Sequence, residues 1–491
     1  MSVWLKRRNG SVSVFFAATF LSLSSMFLCM AECVRVNALY YSANMEARES
    51  EAYLESMYLK KLWTDFGVLG LDASLGAEEV DMAKLQGRAS DFLNMYEKQN
   101  GIDYLKLPVE NLEVKNPHYY TDYGGVWFIK MAARYEKTRF VDKGLDLLVS
   151  KLKEESSNAG KKDDFDEKIE KSEKAIIKSQ EKVDDKDKDE KEASKYPKED
   201  WSGVSNPIKL AKESRKTKDM SFWTGDKKVS DARIDNSKLF SGREKSLTGH
   251  GGVGGIDRAL YTEYVFDKFG CFCDEAEDDI KYGAEYLIGG KDSDKDNLSA
   301  VIKRLMLIRE AENILTIESD PAMNSEAGSL ATFLAGFTLN PAIIEAVKIG
   351  IIASWAYVES VLDIRSLLAG EKIPFYKTSV QFTSKLRELP AYLEKGKRAR
   401  TFGTGIDYKS CLRALLFVQP SLKLAERSFD LVENHMRKDK YYAKFKVNNM
   451  VYKCDVELKT RADSLFLWLV DLKKGKDSYS YKRKVEVDYT K

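Results

Sequence analysis

The chain has 491 residues, of which 43% are hydrophobic and 32% are charged, enough apolar residues to build a large core. Its 79 basic and 77 acidic residues leave a formal net charge of +2, which argues against a protein that coats nucleic acid. Only three histidines are present, which limits histidine-based metal sites and catalytic triads. At about 150 residues per domain, the length predicts about three domains, or two with linkers.

A basic stretch and then an uncharged apolar segment begin the chain. Lys6, Arg7 and Arg8 precede residues 11–31, which as a helix would extend about 31 Å and cross the hydrocarbon core of a bilayer. Because basic residues mark the cytoplasmic side, residues 1–10 are predicted to stay in the cytoplasm. The rest would lie outside a cell membrane that the chain crosses once. The alternative is a cleaved signal peptide, but this run is longer than usual and no Ala-x-Ala-like site follows it.

The predicted helix does not stop at the membrane surface, since no glycine or proline occurs between Gly10 and Gly67. A near-heptad stripe along its outer part predicts packing on the protein's own ectodomain or, alternatively, a coiled-coil contact with other copies or partner subunits. The stripe comprises Val34, Ala38, Tyr41, Met45, Arg48, Ala52, Glu55, Leu59, Leu62 and Phe66.

Residues 32–150 are predicted to be an extended helix followed by a helical region, with a helix in 126–150. A charged insert or linker is predicted for residues 151–243. Of residues 151–200, 31 are charged, 14 of them lysine and 17 acidic. Such a segment buries too little apolar surface to offset its ordering entropy, although a single charged helix is an alternative.

Residues 244–435 are predicted to form a helical core domain. Asn297 is expected to cap a helix with an apolar stripe, and Asn340-Pro341 to begin a helix that runs to Gly370. The second helix is apolar nearly all round. Its longest uncharged run is 10 residues, too short to cross a membrane, so it is predicted to be a buried central helix.

The last part of the chain, residues 436–491, is predicted to be rich in β structure. Residues 445–458 alternate in polarity and predict two strands around a turn at Asn448 and Asn449. Residues 484–489 predict another strand, and residues 462–472 either a strand or a helix. The predicted fold class is therefore mainly α with a small C-terminal β region (α+β), and a long N-terminal transmembrane helix that continues into the ectodomain.

Two motifs only partly match known binding loops. Residues 249–255 are glycine-rich but lack the Lys-Ser/Thr of a phosphate loop, and predict a joint before a helix. Residues 292–296 imitate a calcium loop, but Asn297 replaces the required glycine and Lys303 the required glutamate. A polar turn is the preferred interpretation.

Glu359 and Asp363 lie four residues apart on the predicted central helix and so share a face. A structural ion network with Arg304, Arg309 or Arg365 is the preferred interpretation, and an acid/base pair or metal site the alternative. The six cysteines permit a bridge between Cys411 and Cys454 without specifying one. No catalytic, cofactor-binding or metal-binding residues are predicted, no cofactor is expected, and the chain is not expected to be an enzyme.

Several stretches together resemble an uncharacterised family of single-pass surface proteins from Gram-positive bacteria, classed as a domain of unknown function. The N-terminus of its members is similar to minor pilin-like proteins of tight-adherence (Tad) pili. The stretches are residues 10–15 with Glu32 and Arg35, then residues 62–72, 285–291, 296–298, 307–313, 355–360, 363–365, 367–370, 407–408 and 412–413.

The resemblance implies a structural or assembly component of a Tad pilus-like system at the cell surface. Its expected partners are the membrane and other pilin-like or secretion-system subunits, with neither a nucleic acid nor an identified small-molecule substrate. One position departs from the pilin pattern, because Phe15 stands where a glutamate often follows a processing glycine by five residues. The alternatives are a surface-binding module (an adhesin or sensor) and, less favoured, an extracellular hydrolase that uses acidic residues.

Overall fold

The computed structural model describes residues 6–99, 105, 107–138, 199–243, 247–466 and 478–491, which form two compact units. Unit 1 contains residues 1–122 and 436–491, and unit 2 contains residues 123–435. The predicted fold class, mainly α with a small sheet and a long apolar N-terminal helix, is confirmed. Most of the charged insert predicted for 151–243, and the second half of the helix predicted for 126–150, lie outside the described residues.

Unit 1 begins with three helices: α1 (Lys6–Ser56), α2 (Lys60–Phe66) and α3 (Met82–Gln99). The 51 residues of α1 extend about 76 Å. The helix predicted to continue to Gly67 is interrupted between Ser56 and Lys60, because the Leu59 N–H donates to Gly70 O and Tyr58 forms a bridge with Leu71. This interruption comes from a tertiary contact, which helix propensity alone does not reveal.

The outer part of α1 packs on unit 1 through a different face from the one predicted. Val34, Tyr41 and Met45, three members of the predicted stripe, are exposed. The buried positions fall about 3.6 residues apart, which is the period of a straight helix. The predicted near-heptad stripe therefore lies on a different face of α1 from the one that packs on unit 1. The buried positions are Glu32, Arg35, Leu39, Ala43, Glu46, Ala47, Ser50 and Leu54.

Four antiparallel strands complete unit 1: β1 (Leu71–Asp72), β2 (Val109–Tyr119), β3 (Met450–Asp463) and β4 (Ser478–Asp488). Strand β3 pairs with each of the other three. Its even-numbered residues from Cys454 to Ala462 are buried, the period of two expected for one covered face. Strand β2 lies in a region predicted to be mostly helical, although the alternation at Leu112 and Val114 was a signal for it.

The two strands predicted around Asn448 and Asn449 are instead one strand, preceded by the short 3-10 turn Val447–Asn449. Two hydrogen bonds hold Asn449 in place. Its backbone carbonyl accepts from Ala73 N, and its side-chain amide donates to Glu78 O at 3.3 Å. The turn therefore directs the chain into β3 and does not join two strands. The predicted strand at 484–489 is confirmed as part of β4, and residues 467–472 lie outside the described residues.

Unit 2 is helical in the part of the chain that the structure describes. Its helices are α4 (Val126–Lys137), α5 (Pro207–Arg215), α6 (Ser221–Thr224), α7 (Gly255–Phe269), α8 (Gly283–Gly289), α9 (Asp294–Ser319), α10 (Pro321–Ala335), α11 (Pro341–Leu368), α12 (Leu389–Tyr392), α13 (Tyr408–Val418) and α14 (Ser421–Arg437), which ends just inside unit 1.

The predicted central helix is α11. The Asn340 side chain accepts from Ala342 N and caps the helix, which ends at Leu368, two residues before Gly370 with its positive φ of 85°. Among the described residues, two helices are long and apolar enough to cross a membrane, and α11 differs from α1 in being mostly buried within the protein. The cap predicted at Asn297 is wrong, because Ser293 caps α9 while Asn297 binds the backbone of Lys291.

Residues 199–243 belong to unit 2 and are not the solvated linker predicted for that stretch. Trp201 is fully buried and donates through Nε1 to Ser329 Oγ at 3.0 Å. Ile208 and Ala211 on α5 are buried as well, as is Phe240. These apolar residues are sparse, but each occupies a position that packs on the core, so average composition underestimated the order of this segment.

Candidate functional site

The structure brings Glu359 and Asp363 together on the buried face of α11, as the sequence predicted. Both carboxylates are fully buried. The Glu359 carboxylate accepts hydrogen bonds from Ser384 N at 2.8 Å and Ser384 Oγ at 2.7 Å. A cation that the sequence analysis missed lies between the two acids, since Lys377 Nζ donates to Glu359 Oε1 and to Asp363 Oδ1. The lysine side chain is itself fully buried.

Arg309 on α9 is the one predicted arginine that joins this cluster. Its Nε and Nη2 atoms donate to Asp363 Oδ2 at 3.0 and 2.9 Å, a bidentate arrangement. Burial raises the pKa of Asp363, but the charges of Arg309 and Lys377 outweigh that effect and the net pKa lies below its ordinary value. Arg365, also predicted, instead donates only to backbone carbonyls, including Phe222 O at 2.8 Å.

Glu312, one turn after Arg309, is the third carboxylate of what we call the α9–α11 ion cluster: Arg309, Glu312, Glu359, Asp363 and Lys377. Arg309 Nη1 donates to Glu312 Oε2 and to Phe375 O. Glu312 is only 8% exposed, and its Oε1 atom has no hydrogen-bond partner among the described residues. Burial raises the pKa of Glu312 to about 7, and the Arg309 charge only partly offsets that rise.

A cavity of about 30 Å³ lies beside this end of the cluster. Arg309 and Glu312 form part of its wall, and most of the remaining wall is apolar, including Ile308, Phe375 and Ala414. Cys411 on α13 also lines it. The cavity wall is therefore mainly apolar, and the unpartnered Glu312 Oε1 atom is enclosed by protein.

Another buried carboxylate in unit 2, Glu285 on α8, lies outside the ion cluster and was not singled out by sequence reasoning. It is fully buried and accepts from Phe272 N at 2.9 Å and from Tyr408 Oη at 2.8 Å. Burial raises its pKa to about 7, and these two hydrogen bonds oppose the rise. Tyr408 and residues 285–287 belong to stretches that carried the family resemblance, and the structure shows that they contact each other.

The other predicted motifs have structural positions in unit 2. Residues 249–254 lead into α7, as expected for a joint before a helix, and a Cβ added at Gly251 would lie 2.8 Å from Tyr123 O. In the turn at 292–296, Ser293 caps α9 and Asp294 accepts from Lys281 N and Tyr282 N. No group of three His, Cys, Asp or Glu side chains in the described residues is arranged to hold a metal ion.

Unit 1 contains a buried ion pair of its own. Arg35 Nη1 donates to Glu32 Oε1 at 3.0 Å and to Asp463 O at 3.0 Å, and its Nη2 donates to Leu105 O at 2.9 Å. Glu32 in turn accepts from Phe466 N at 2.9 Å. This pair therefore fixes α1 to the end of β3, directly after the apolar segment of the helix.

Comparisons with known proteins identify the chain at the level of a family. No curated protein and no solved structure matches the chain. A family model described as "Family of unknown function (DUF5702)" matches residues 197–462, which include the α9–α11 ion cluster, its cavity and Glu285. Because this match covers more than half of the 491 residues, the chain belongs to the DUF5702 family.

Proposed function

We propose that this protein is a membrane-anchored structural or assembly component of a tight-adherence pilus-like system at the cell surface. Helix α1 provides the anchor. Its segment from Val12 to Met30 is exposed over most of its length and includes Phe16, Phe20 and Phe27, each at least 66% exposed. Large apolar side chains in that number are stable on a helix surface when lipid or another apolar helix surrounds them.

The observation that carries the proposal is that α1 continues without interruption from this apolar segment into unit 1. Glu32 follows the segment directly, and its buried pair with Arg35 holds the helix against Leu105 and the end of β3. A continuous helix is a stiffer connection than a flexible linker, so the proposed anchor would hold unit 1 in a defined orientation, which suits a component of a surface assembly.

In the proposed topology, Lys6, Arg7 and Arg8 remain in the cytoplasm and both units lie outside. The exposed Val34, Tyr41 and Met45, opposite the buried face of α1, offer a surface for pilin-like or secretion-system subunits.

The ion cluster favours a structural role over the hydrolase alternative. An acid/base pair needs a carboxylate that reaches substrate, whereas Glu359 and Asp363 are fully buried and both bind Lys377. The surface-binding alternative has a feature of its own in unit 2, the cavity beside Glu312.

Fractionation of sheared cells tests the proposal. Sheared filaments, membranes and medium are separated and each is probed for the full-length chain, with a Phe20→Arg variant that places a charge in the apolar segment. Recovery of the wild-type chain with filaments or with membranes, and loss of the variant from both, supports the proposal. A wild-type chain found only in the medium would contradict it.

A further inference from the structure

Strand β4 runs along α1 and leads away from the apolar segment of that helix. The Tyr481 hydroxyl donates to Val36 O at 3.3 Å, and the Tyr489 hydroxyl donates to Leu54 O at 2.6 Å. Leu54 follows Val36 by 18 residues, which is about 27 Å along the helix axis. The beginning of β4, and the end of β3 that pairs with it, therefore lie at the end of unit 1 nearest the apolar segment.

The chain at the end of β3 is bound to the first residue after the apolar segment. Leu465 N and Phe466 N donate to the Glu32 carboxylate at 3.3 and 2.9 Å. With residues 11–31 spanning a hydrocarbon core of about 30 Å, as proposed, Glu32 lies at the outer edge of that core. The headgroup layer beyond this edge is about 5–7 Å thick. Leu465 and Phe466 therefore lie at the height of the headgroups.

The sequence that continues from β3 is strongly apolar. Residues 465–470 read Leu-Phe-Leu-Trp-Leu-Val, and three lysines follow at Lys473, Lys474 and Lys476. Leu465 is 38% exposed, and residues 467–477 lie outside the described residues. A run of six apolar residues that begins at an exposed leucine is unfavourable in water. Apolar and aromatic residues followed by lysines are typical of the boundary between acyl chains and headgroups.

We propose that Leu465 and Phe466 form a second membrane contact, in which unit 1 touches the headgroups and upper acyl chains of the outer leaflet. This surface is continuous with the proposed anchor, because Glu32 joins the two. Arg35 pairs with Glu32 at 3.0 Å, so no uncompensated charge separates them. The inference rests on the proposed anchoring by α1. It adds a contact that restricts the rotation of unit 1 about the helix axis.

Photo-cross-linking to lipid measures the contact. The photoreactive residue p-benzoyl-phenylalanine replaces Leu465 in the full-length chain, which is reconstituted in phosphatidylcholine vesicles that contain a trace of radiolabelled phosphatidylcholine and is then irradiated. The same replacement at Phe20 reports on the anchor. A third replacement at Met45, which is 56% exposed, reports on a position of α1 about 20 Å beyond Glu32.

The three positions separate the anchor from the second contact. Lipid labelling from Leu465 should be at least about tenfold above that from Met45, because acyl chains do not extend to the height of Met45. Labelling from Phe20 alone would overturn the inference and leave the anchor intact. Labelling from none of the three would overturn both. A cross-link from Leu465 to a second copy of the chain in place of lipid, or equal lipid labelling from Leu465 and Met45, would also overturn the inference.

A variant tests whether the apolar side chain itself makes the contact. With the photoreactive residue at Phe466, Leu465→Asn should lower lipid labelling about threefold or more, since a polar amide is unfavourable beside acyl chains. Met45→Asn is the matched control at another exposed apolar position and should leave labelling unchanged. Circular dichroism shows whether each variant folds, and Leu465→Ala replaces Leu465→Asn if the latter does not. Unchanged labelling in the folded Leu465 variant would contradict the assigned contact.

Discussion

Lys377 places its ammonium group against the carboxylate of Asp363, 14 positions earlier in the chain, and both side chains are fully buried. The lysine lies in a loop beyond α11 and the aspartate on the helix, so their contact fixes the loop to the helix. Because Glu359 binds the same nitrogen, one cation supports two charges that would otherwise be buried without a partner.

Replacing Lys377 with methionine should therefore destabilise unit 2 severely. The change leaves Glu359 without its cation and Asp363 with Arg309 alone, and breaking a buried pair in this way costs about 3–5 kcal/mol. Denaturant unfolding of the purified chain measures the loss. Lys385→Met is the matched control, since the Lys385 side chain is 66% exposed and should change stability by less than about 0.5 kcal/mol. Equal stability of the two variants would contradict the role assigned to Lys377.

The contact of Glu32 with the end of β3 predicts a local change in backbone protection. Glu32→Gln should speed hydrogen exchange at the Leu465 and Phe466 amides, which donate to Glu32 at 3.3 and 2.9 Å. The loss of a charged acceptor, about 1.5–3 kcal/mol, corresponds to roughly tenfold or faster exchange. Mass-spectrometric exchange measures it, with Glu55→Gln at an exposed position of α1 as control. Unchanged exchange in Glu32→Gln would mean that other contacts hold this segment.

Glu312 should make the stability of unit 2 depend on pH. Burial raises the pKa of Glu312 from 4.5 to about 7 in the folded protein, so the folded state holds a proton that the unfolded state loses. The resulting stability is complete below pH 4.5 and is lost as the pH rises through 7, a difference of about 3 kcal/mol. Glu312→Gln should remove the contribution of Glu312 to the pH dependence. The measurement is the free energy of unfolding at pH 5 and pH 8.

The comparison of wild type with Glu312→Gln isolates one group among several. The charged neighbours that act on Glu312 are Arg309 and Asp363. Burial also raises the pKa of Glu285 to about 7 and that of Asp430 to about 6, so both add to the wild-type slope in the same direction. The variant should therefore keep a smaller dependence of the free energy of unfolding on pH. An unaltered dependence would mean that Glu312 is ionised in the folded protein from pH 5 to pH 8.

Tyr408→Phe should destabilise unit 2 by about 1–3 kcal/mol, because the Glu285 carboxylate loses its side-chain donor within the core. Thermal unfolding at neutral pH measures the change. Tyr376→Phe is a control at a position that is 63% exposed. We expect a loss of stability only in Tyr408→Phe. The same loss in both variants would indicate a general effect of removing a tyrosine hydroxyl.

The sequence by itself determined the elements whose signals are local. The apolar segment of α1, the capped central helix α11 and the strand within β4 follow from runs of side chains and from caps that neighbouring residues supply. The pairing of Glu359 and Asp363 was also recognisable. Two acids four residues apart on an apolar helix share one face, and both need cationic partners when that face is buried.

Only the tertiary structure decided which partners these elements take. Lys377 lies on a loop with no periodic signal, and Leu465 meets Glu32 across 433 positions, so no local pattern encodes either contact. The interruption after Ser56 depends on contacts of Tyr58 and Leu59 with Leu71 and Gly70, whereas the buried face of α1 depends on β3 and β4 from the opposite end of the chain. Pairing over such distances is set by the burial of complementary surfaces in the folded unit, because the free energy gained there exceeds the preference of any short segment.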